Sequence, residues 1–318
     1  MGIVVIGAVF VDIKGYPDDV YIPAGRNAGR VEQVHGGVCR NIAEDIANVE
    51  LRPTFVSLVD EGGIGADVVH KLNDHKVNTS YIRAVPNGMG TWLAIFGNDG
   101  DVVGSISKRP NLMPIADILD QHGDEIFANA DSAIVELDMD KEIIKRIFKL
   151  AQKHGKKVYA AVSNISIAAE RRDFLQSVDC FVCNQQEVGI LFSDDYSDMK
   201  ATQLEQLLRE KVVRAQIPAM IVTMGGQGAV YADKEGNSGF CPARRVNVKD
   251  TTGAGDAFCA GVVIGLTYGE SMARACDIGA HLAASVITTS ENVCPRFLPR
   301  ELGLNIDVKD CYEVTFVK

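Results

Sequence analysis

The chain has 318 residues, 47% of them hydrophobic, a net charge of −10 and a pI near 5.1. This length holds one large α/β domain, or a core with a small appendage. The acidic balance speaks against nucleic acid as a partner, and no apolar run reaches the length of a membrane span. The eight cysteines are scattered, and the start at Met1-Gly2-Ile3-Val4-Val5-Ile6 lacks a basic leader. A reduced, cytoplasmic protein is expected. Cys180 and Cys183 form a C-x-x-C inside an apolar run that reads as a strand, and are expected to be buried thiols.

In chain order, residues 3–11 are a near-continuous apolar run, the pattern of a central strand covered on both faces and ending at Asp12. Ligands of open α/β sheets bind beyond the carboxyl ends of strands, where a carboxylate can hold sugar hydroxyls. Residues 13–34 and 85–110 are punctuated by turn formers. In the second, Thr91–Phe96 and Val102–Ile106 flank Gly97-Asn98-Asp99-Gly100, a hairpin signal. The two stretches are expected to pair into a small sheet apart from the core, with Trp92 packed within it. Between them, Gly36-Gly37-Val38-Cys39-Arg40-Asn41 opens a helix with apolar spacing at Ile42, Ile46 and Val49. The glycines let backbone approach a ligand closely, and Asn41 offers both a donor and an acceptor to hydroxyls.

The middle alternates. Strands are expected at Thr54–Val59, Ser132–Leu137, Lys157–Ala161, Cys180–Val182 and Met220–Met224. Helices are expected at Ala66–Asp74, Lys141–His154, Ala168–Gln176, Glu187–Phe192 and Ala201–Val213. Repeating βα units predict a mostly parallel sheet with helices on both faces. Asp138 and Asn184-Gln185-Gln186-Glu187 follow two of these strands; the latter also reads as a helix-capping pattern. In Thr223-Met224-Gly225-Gly226-Gln227-Gly228, glycines beside a hydroxyl can bracket a nucleotide or simply turn the chain.

The whole chain is organised around Asp250-Thr251-Thr252-Gly253-Ala254-Gly255-Asp256-Ala257-Phe258, followed by helical spacing at Val262, Val263 and Leu266. A tight turn into a helix N-terminus aims several N–H groups at one point, with the helix dipole behind them. That is an anion site without a basic side chain. Asp256 beside it can take a proton from a hydroxyl. Anion site plus base is what phosphoryl transfer to an alcohol requires.

This stretch resembles the C-terminal signature of the ribokinase-like (pfkB) carbohydrate and nucleoside kinases, and Gly36–Asn41 resembles their N-terminal one. The resemblance spans essentially the full length. It implies a single kinase domain over residues 1–318, a three-layer α/β/α sandwich with a β lid at about 13–34 and 85–110. It implies Asp256 as base, with Gly253, Ala254 and Gly255 holding the transferring group, and Asp12, Gly36, Gly37, Asn41 and Asp138 at the substrate. Asn184 and Glu187 match the family's N-x-x-E motif, whose carboxylate helps place hydrated Mg²⁺. Thr223, Gly225 and Gly228 match its nucleotide loop, and His281, in a helix expected at Gly279–Val286, stands where many relatives have Asn facing the adenine. Asp250, Thr252 and the stretch Ile287–Asn292 match the region that binds K⁺ in several relatives. A lid-mediated homodimer is a further implication.

Val38 occupies the place where sugar kinases commonly carry Lys, which counts against a phosphorylated substrate. The motif is closer to that of pseudouridine kinases and related nucleoside kinases. The expected reaction is therefore ATP-dependent phosphorylation of a nucleoside, pseudouridine first, at its 5′-hydroxyl. The alternatives are a kinase for ribose, fructose or a related sugar, and a non-catalytic ligand sensor on the same fold. No G-x-x-x-x-G-K-[ST] occurs, and Gly7-Ala8-Val9-Phe10-Val11-Asp12 is not a dinucleotide fingerprint.

Overall fold

Strand β1, Gly2–Ile6, explains the layering. Ile3 and Val5 enter one hydrophobic cluster, Val4 and Ile6 the other, and all four are buried. Side chains alternate along a strand, and a strand covered on both sides must be apolar at every position. Each such side chain taken from water contributes about 1.5–3 kcal/mol.

A computed structural model describes residues 2–98, 102–170 and 172–306. After β1 come β2 (Phe10–Pro17), β3 (Gly29–Gly36), α1 (Val38–Asn48), β4 (Thr54–Asp60), α2 (Gly63–Asp74) and β5 (Ile82–Val85). Then follow β6 (Gly90–Phe96), β7 (Val102–Lys108), α3 (Pro114–Ala128), β8 (Ala130–Glu136), α4 (Lys141–His154) and β9 (Lys157–Ala161). The chain continues through α5 (Ile165–Ala169), β10 (Cys180–Asn184), α6 (Gln185–Phe192), α7 (Ala201–Ala215) and β11 (Ala219–Thr223). It closes with β12 (Gly228–Asp233), β13 (Ser238–Pro242), α8 (Ala254–Thr267) and α9 (Met272–Val286).

Nine strands form the main sheet in the order β13-β12-β11-β10-β9-β8-β1-β4-β5. Pairing is parallel from β11 to β5 and antiparallel from β11 through β12 to β13. Helices α3, α4, α6 and α7 pack on the Val4/Ile6 face, and α1, α2, α8 and α9 on the Ile3/Val5 face. The architecture is the expected three-layer α/β/α sandwich. Cys180 and Cys183 lie buried in β10, as their apolar neighbours imply.

A second sheet, β3-β2-β6-β7, forms the lid. The run from Ile3 does not reach Asp12 as one strand. It breaks after Ile6, where a Cβ on Gly7 would lie 2.6 Å from the Cys39 sulfur, and resumes at Phe10 in the lid. Asp12 is therefore a lid residue. The lid strands span 10–17, 29–36, 90–96 and 102–108, and Val85 belongs to the main sheet. The hairpin's Asp99 and Gly100 lie outside the described residues. The helix expected at Ala168–Gln176 is instead the short α5 and a 3₁₀ turn at Arg172–Ser177. Through β2, which follows β1, and β3, which leads into α1, the lid joins the core where the candidate site assembles.

Candidate active site

The N-terminus of α8 is built by Gly253, which has left-handed φ of 80° and caps the helix without a side chain. A Cβ there would stand 2.0 Å from the Asn292 carbonyl oxygen, so the turn requires glycine twice over. The N–H of Ala254 donates to Thr251 and that of Ala257 to Gly253, while those of Gly255 and Asp256 have no acceptor within the helix. Space above Gly255 is open. The pair thus points the dipole's positive end at an open cleft.

Asp256 lies in that first turn, half-buried. Removal from bulk water pushes its carboxyl up to about 6, against the opposing hydrogen bond from Asn41 and the charge of Arg40, and with help from Glu187 and Asp12. A carboxylate at that value remains ionised at neutral pH and accepts protons better than an ordinary one. One oxygen is taken by Asn41 Nδ2 at 2.6 Å, which leaves the other for a substrate hydroxyl.

Asn41 reaches Asp256 because Gly37, with φ of 102°, turns the chain from β3 into α1; a Cβ there would meet the Ala8 carbonyl at 2.7 Å. Gly36 lies against the Asp12 carboxylate, 2.5 Å from where its Cβ would be. The Asp12 carboxylate accepts no hydrogen bond from any described residue, and burial raises its pKa against the pull of Lys14 and Arg40. It is a free acceptor at the cleft between lid and core.

Asp138 is not free in that way. Its buried carboxylate accepts from Arg109 Nη2 at 2.7 Å, Ser163 Oγ at 2.9 Å and Ser163 N at 3.1 Å. It ties the segment that leaves the lid after β7 to the core. Arg109 and Ser163 carry no sequence signal, being 29 and 25 residues from Asp138. Glu136, inside the apolar run of β8, also carries no such signal. Fully buried, it takes the N–H of Ala8 and Cys39 and holds β1, β8 and α1 together; burial pushes its carboxyl up to about 8, with a contribution from Asp138.

On the other side, Asn184 and Glu187 form a reciprocal capping box on α6: Asn184 Oδ1 accepts from Glu187 N at 2.8 Å, and Glu187 Oε2 from Asn184 N at 2.7 Å. Burial raises the Glu187 carboxyl. The capping alternative is thus realised, and one Glu187 oxygen remains. Among the described residues, no group of three or more His, Cys, Asp or Glu could hold a metal alone. Mg²⁺, which keeps several waters and takes few carboxylates, fits a single Glu187 better than a closed cage.

Thr223 ends β11, Gly225 opens a 3₁₀ turn with φ of 54°, and Gly228 starts β12 with φ of 118°. Nothing lies within 4 Å of a Cβ on Gly225 or Gly226, so this loop lines open space. His281 sits on α9 with its ring against Phe297, centroids 5.1 Å apart. No hydrogen bond or ring contact among the described residues joins it to the Thr223–Gly228 loop. Asp250 accepts from the N–H of Thr252 at 2.8 Å, and the Ile287 carbonyl accepts from Lys249 N. Burial opposes ionisation of Asp250, but its bonds to Thr252 and the nearby Lys14 outweigh it and lower the pKa.

Comparison with known proteins agrees with this geometry. The model of the pfkB family of carbohydrate kinases matches residues 2–294. A guanosine-inosine kinase of Exiguobacterium acetylicum is 31% identical over 294 residues, covering 91% of this chain and 95% of that protein. The pseudouridine kinase of Escherichia coli (strain K12) is 27% identical over 280 residues, covering 85% and 86%. Among solved structures, an Arabidopsis thaliana ribokinase complexed with ribose and ATP superimposes with a TM-score of 0.80 at 20% identity, covering 99% of both chains. Among the described residues, no helix is long and apolar enough to cross a membrane. The chain belongs to the pfkB family of carbohydrate kinases, phosphotransferases whose acceptor is a hydroxyl group.

Proposed function

We propose that this chain transfers the γ-phosphoryl group of ATP to the 5′-hydroxyl of a nucleoside. The observation that carries the nucleoside, rather than a free sugar, is the aromatic inner face of the lid. Strand register places Asp12, Lys14 and Tyr16 of β2 on one face with Trp92, Ala94 and Phe96 of β6. Lys14 and Tyr16 interact with Asp250 of the catalytic turn, so this face looks into the cleft. Tyr16 and Phe96 stack at 4.8 Å, Phe96 meets Trp92 edge-on at 6.3 Å, and Arg30 lies 4.3 Å over Tyr16. Trp92 lies directly across from Asp12 and is partly exposed. A base attached to a ring held at Asp12 meets these aromatics, whereas ribose alone has no surface to stack.

The mechanism follows from the geometry. Asp12 and Asn41 hold the ring hydroxyls, with Gly36 and Gly37 giving the close backbone approach. The free oxygen of Asp256 takes the proton of the attacking 5′-hydroxyl. A bond forms from the 5′-oxygen of the nucleoside to the γ-phosphorus as the bond from the γ-phosphorus to the β,γ-bridging oxygen breaks, and ADP leaves. The N–H groups of Gly255 and Asp256, set by the turn through Gly253 and Ala254 at the α8 N-terminus, face the charge on the transferring group. Thr223, Gly225 and Gly228 line the nucleotide, with His281 near its base. Bound Mg²⁺, reached through water from Glu187 with Asn184 fixing that carboxylate, would neutralise phosphate charge. A K⁺ beside Asp250 and Thr252 belongs to the same reading, supported by the ionised Asp250.

A purine nucleoside is favoured by the 31% identity to the guanosine-inosine kinase, and pseudouridine by the Gly36–Asn41 motif; Val38 leaves no cation there for a phosphorylated substrate. Truncating Trp92 tests the nucleoside. In Trp92→Ala, kcat/KM for inosine and pseudouridine is expected to fall ~5–150-fold, the worth of one base–aromatic stack, with activity on ribose unchanged. An equal fall for ribose would contradict the reading.

The lid's outer face exposes Val31, Leu93 and Ile106, at 73%, 41% and 71%. This supports a homodimer formed through the lid. Light scattering should give twice the 34.3 kDa chain mass, and Ile106→Lys should return it to one; a monomeric unmodified protein would refute the dimer.

A further inference from the structure

The polar core beneath Asn41 is unusual. Arg40 is 1% exposed, yet its guanidinium faces inward and donates to Glu44, the His35 carbonyl and Asn41 Oδ1. Glu44 is buried too, with Lys71 Nζ at 3.3 Å and His75 Nε2 at 3.6 Å. Asn292 Nδ2 donates to the same His35 carbonyl at 2.8 Å and to Asn41 Oδ1 at 3.3 Å. The segment carrying Asn292 is strapped to α1, where Asp45 accepts from Cys294 N at 2.6 Å and Asn48 donates to the Cys294 carbonyl at 2.7 Å.

We propose that Arg40 and Asn292 are positioning residues that hold the Asn41 amide in one of its two orientations, with the NH₂ end locked onto Asp256. An amide side chain can turn over, and either end fits the same space. Here the ambiguity is removed chemically. A guanidinium has donors only, so the atom of Asn41 facing Arg40 must be the oxygen. The second donor, Asn292, occupies the same oxygen. The NH₂ end then has one direction left, toward the carboxylate of Asp256. With the amide reversed, its oxygen would face that carboxylate and repel its ionised form.

This rests on Asp256 acting as the base. Besides the charge of Arg40, the other groups that bias it are Asp12 from β2, Glu187 from α6, Cys39 and Asp45 from α1 and Cys259 on α8 itself. None of these supplies a donor to it, so release of Asn41 is not compensated.

The test is the pH profile of kcat/KM. Arg40→Met alone strands Glu44, so it is paired with Glu44→Leu, which removes both buried charges together. In Arg40→Met/Glu44→Leu the acid limb is expected to move up by about one pH unit, so that the rate near pH 6 falls ~5-fold while the rate near pH 8.5 changes little. Asn292→Ala, which leaves the ion pair intact, should move it in the same direction and carries the test if the double variant does not fold. Asn41→Ala should shift the limb by itself, and adding Arg40→Met/Glu44→Leu to it should shift it less than half as far as in the unmodified protein. An unmoved limb in both variants, or the full shift persisting without Asn41, overturns the proposal. Asp256→Asn keeps the two readings apart: full turnover there defeats the base itself, whereas an inactive Asp256→Asn with an unmoved limb defeats only the positioning.

Discussion

Asp256→Asn is expected to lower kcat by about 10²–10⁴, the usual worth of a general base, with binding of ATP and nucleoside largely retained. The substitution is isosteric, and the Asn41 contact can persist through the new amide, so the fold is preserved. The unmodified protein should show an acid limb near pH 6. The sign follows from the raised carboxyl of Asp256, which sits near 6 because burial disfavours its charge. Above that pH the group is ionised and accepts the hydroxyl proton; below it the group is already protonated and the rate falls tenfold per pH unit. Residual activity of Asp256→Asn should lack this limb. A residual profile that keeps the limb would assign it to another group, such as Glu187 or Asp12, carboxylates with raised pKa whose charge acts on Asp256.

Gly253→Val should be nearly as damaging, by a different route. The φ of 80° is disfavoured for any β-branched residue, and the added atoms meet the Asn292 carbonyl at 2.0 Å. That carbonyl cannot withdraw easily, because Asp45, Asn48 and His35 hold the segment around it. The turn must move instead, and the N–H groups of Gly255 and Asp256 lose their aim. A fall in kcat of about 10²–10³ is expected, the magnitude seen when one donor to a developing anion is removed. Gly269→Ala is the control. Gly269 has φ of 88° at the other end of α8, with nothing within 4 Å of its Cβ. That change should cost about 1 kcal/mol in thermal stability with kcat intact. Equal losses of rate in both variants would mean that strain, not the anion site, is being measured.

Much of this site was legible because its determinants are local. The turn at Gly253–Asp256 is specified by adjacent residues, and so is the Gly36-Gly37 entry to α1, so short strings carry both. The βα alternation was readable for the same reason: α4 and β9 fall at their expected bounds, since their apolar periods and the left-handed Gly155 lie within the segments. What the sequence hid is long-range. Asn41 meets Asp256 across 215 positions and Asn292 across 251. Arg40 stood in view inside the motif, but an arginine in a first helical turn reads as solvated until its burial is known. Asp12 was misplaced onto β1 because Ala8, Val9 and Val11 stay buried where the strand has already ended, so hydropathy does not mark the passage from core to lid. The α5 region lost its single helix because its apolar residues, Phe174 and Leu175, are buried from a 3₁₀ turn instead. The aromatic face of the lid needed strand register: Tyr16 and Phe96 are 80 residues apart in the sequence and stack in space.

The most direct test of the whole account is substrate-dependent ADP formation by the unmodified protein with Mg-ATP, compared as kcat/KM across inosine, guanosine, pseudouridine, ribose and fructose. A nucleoside is expected to lead, by at least the ~5–150-fold that one stacked base contributes over the bare sugar, with the product carrying phosphate at the 5′-position. Ribose or fructose turned over faster than every nucleoside would contradict it, and would return the aromatic face of the lid to a packing role.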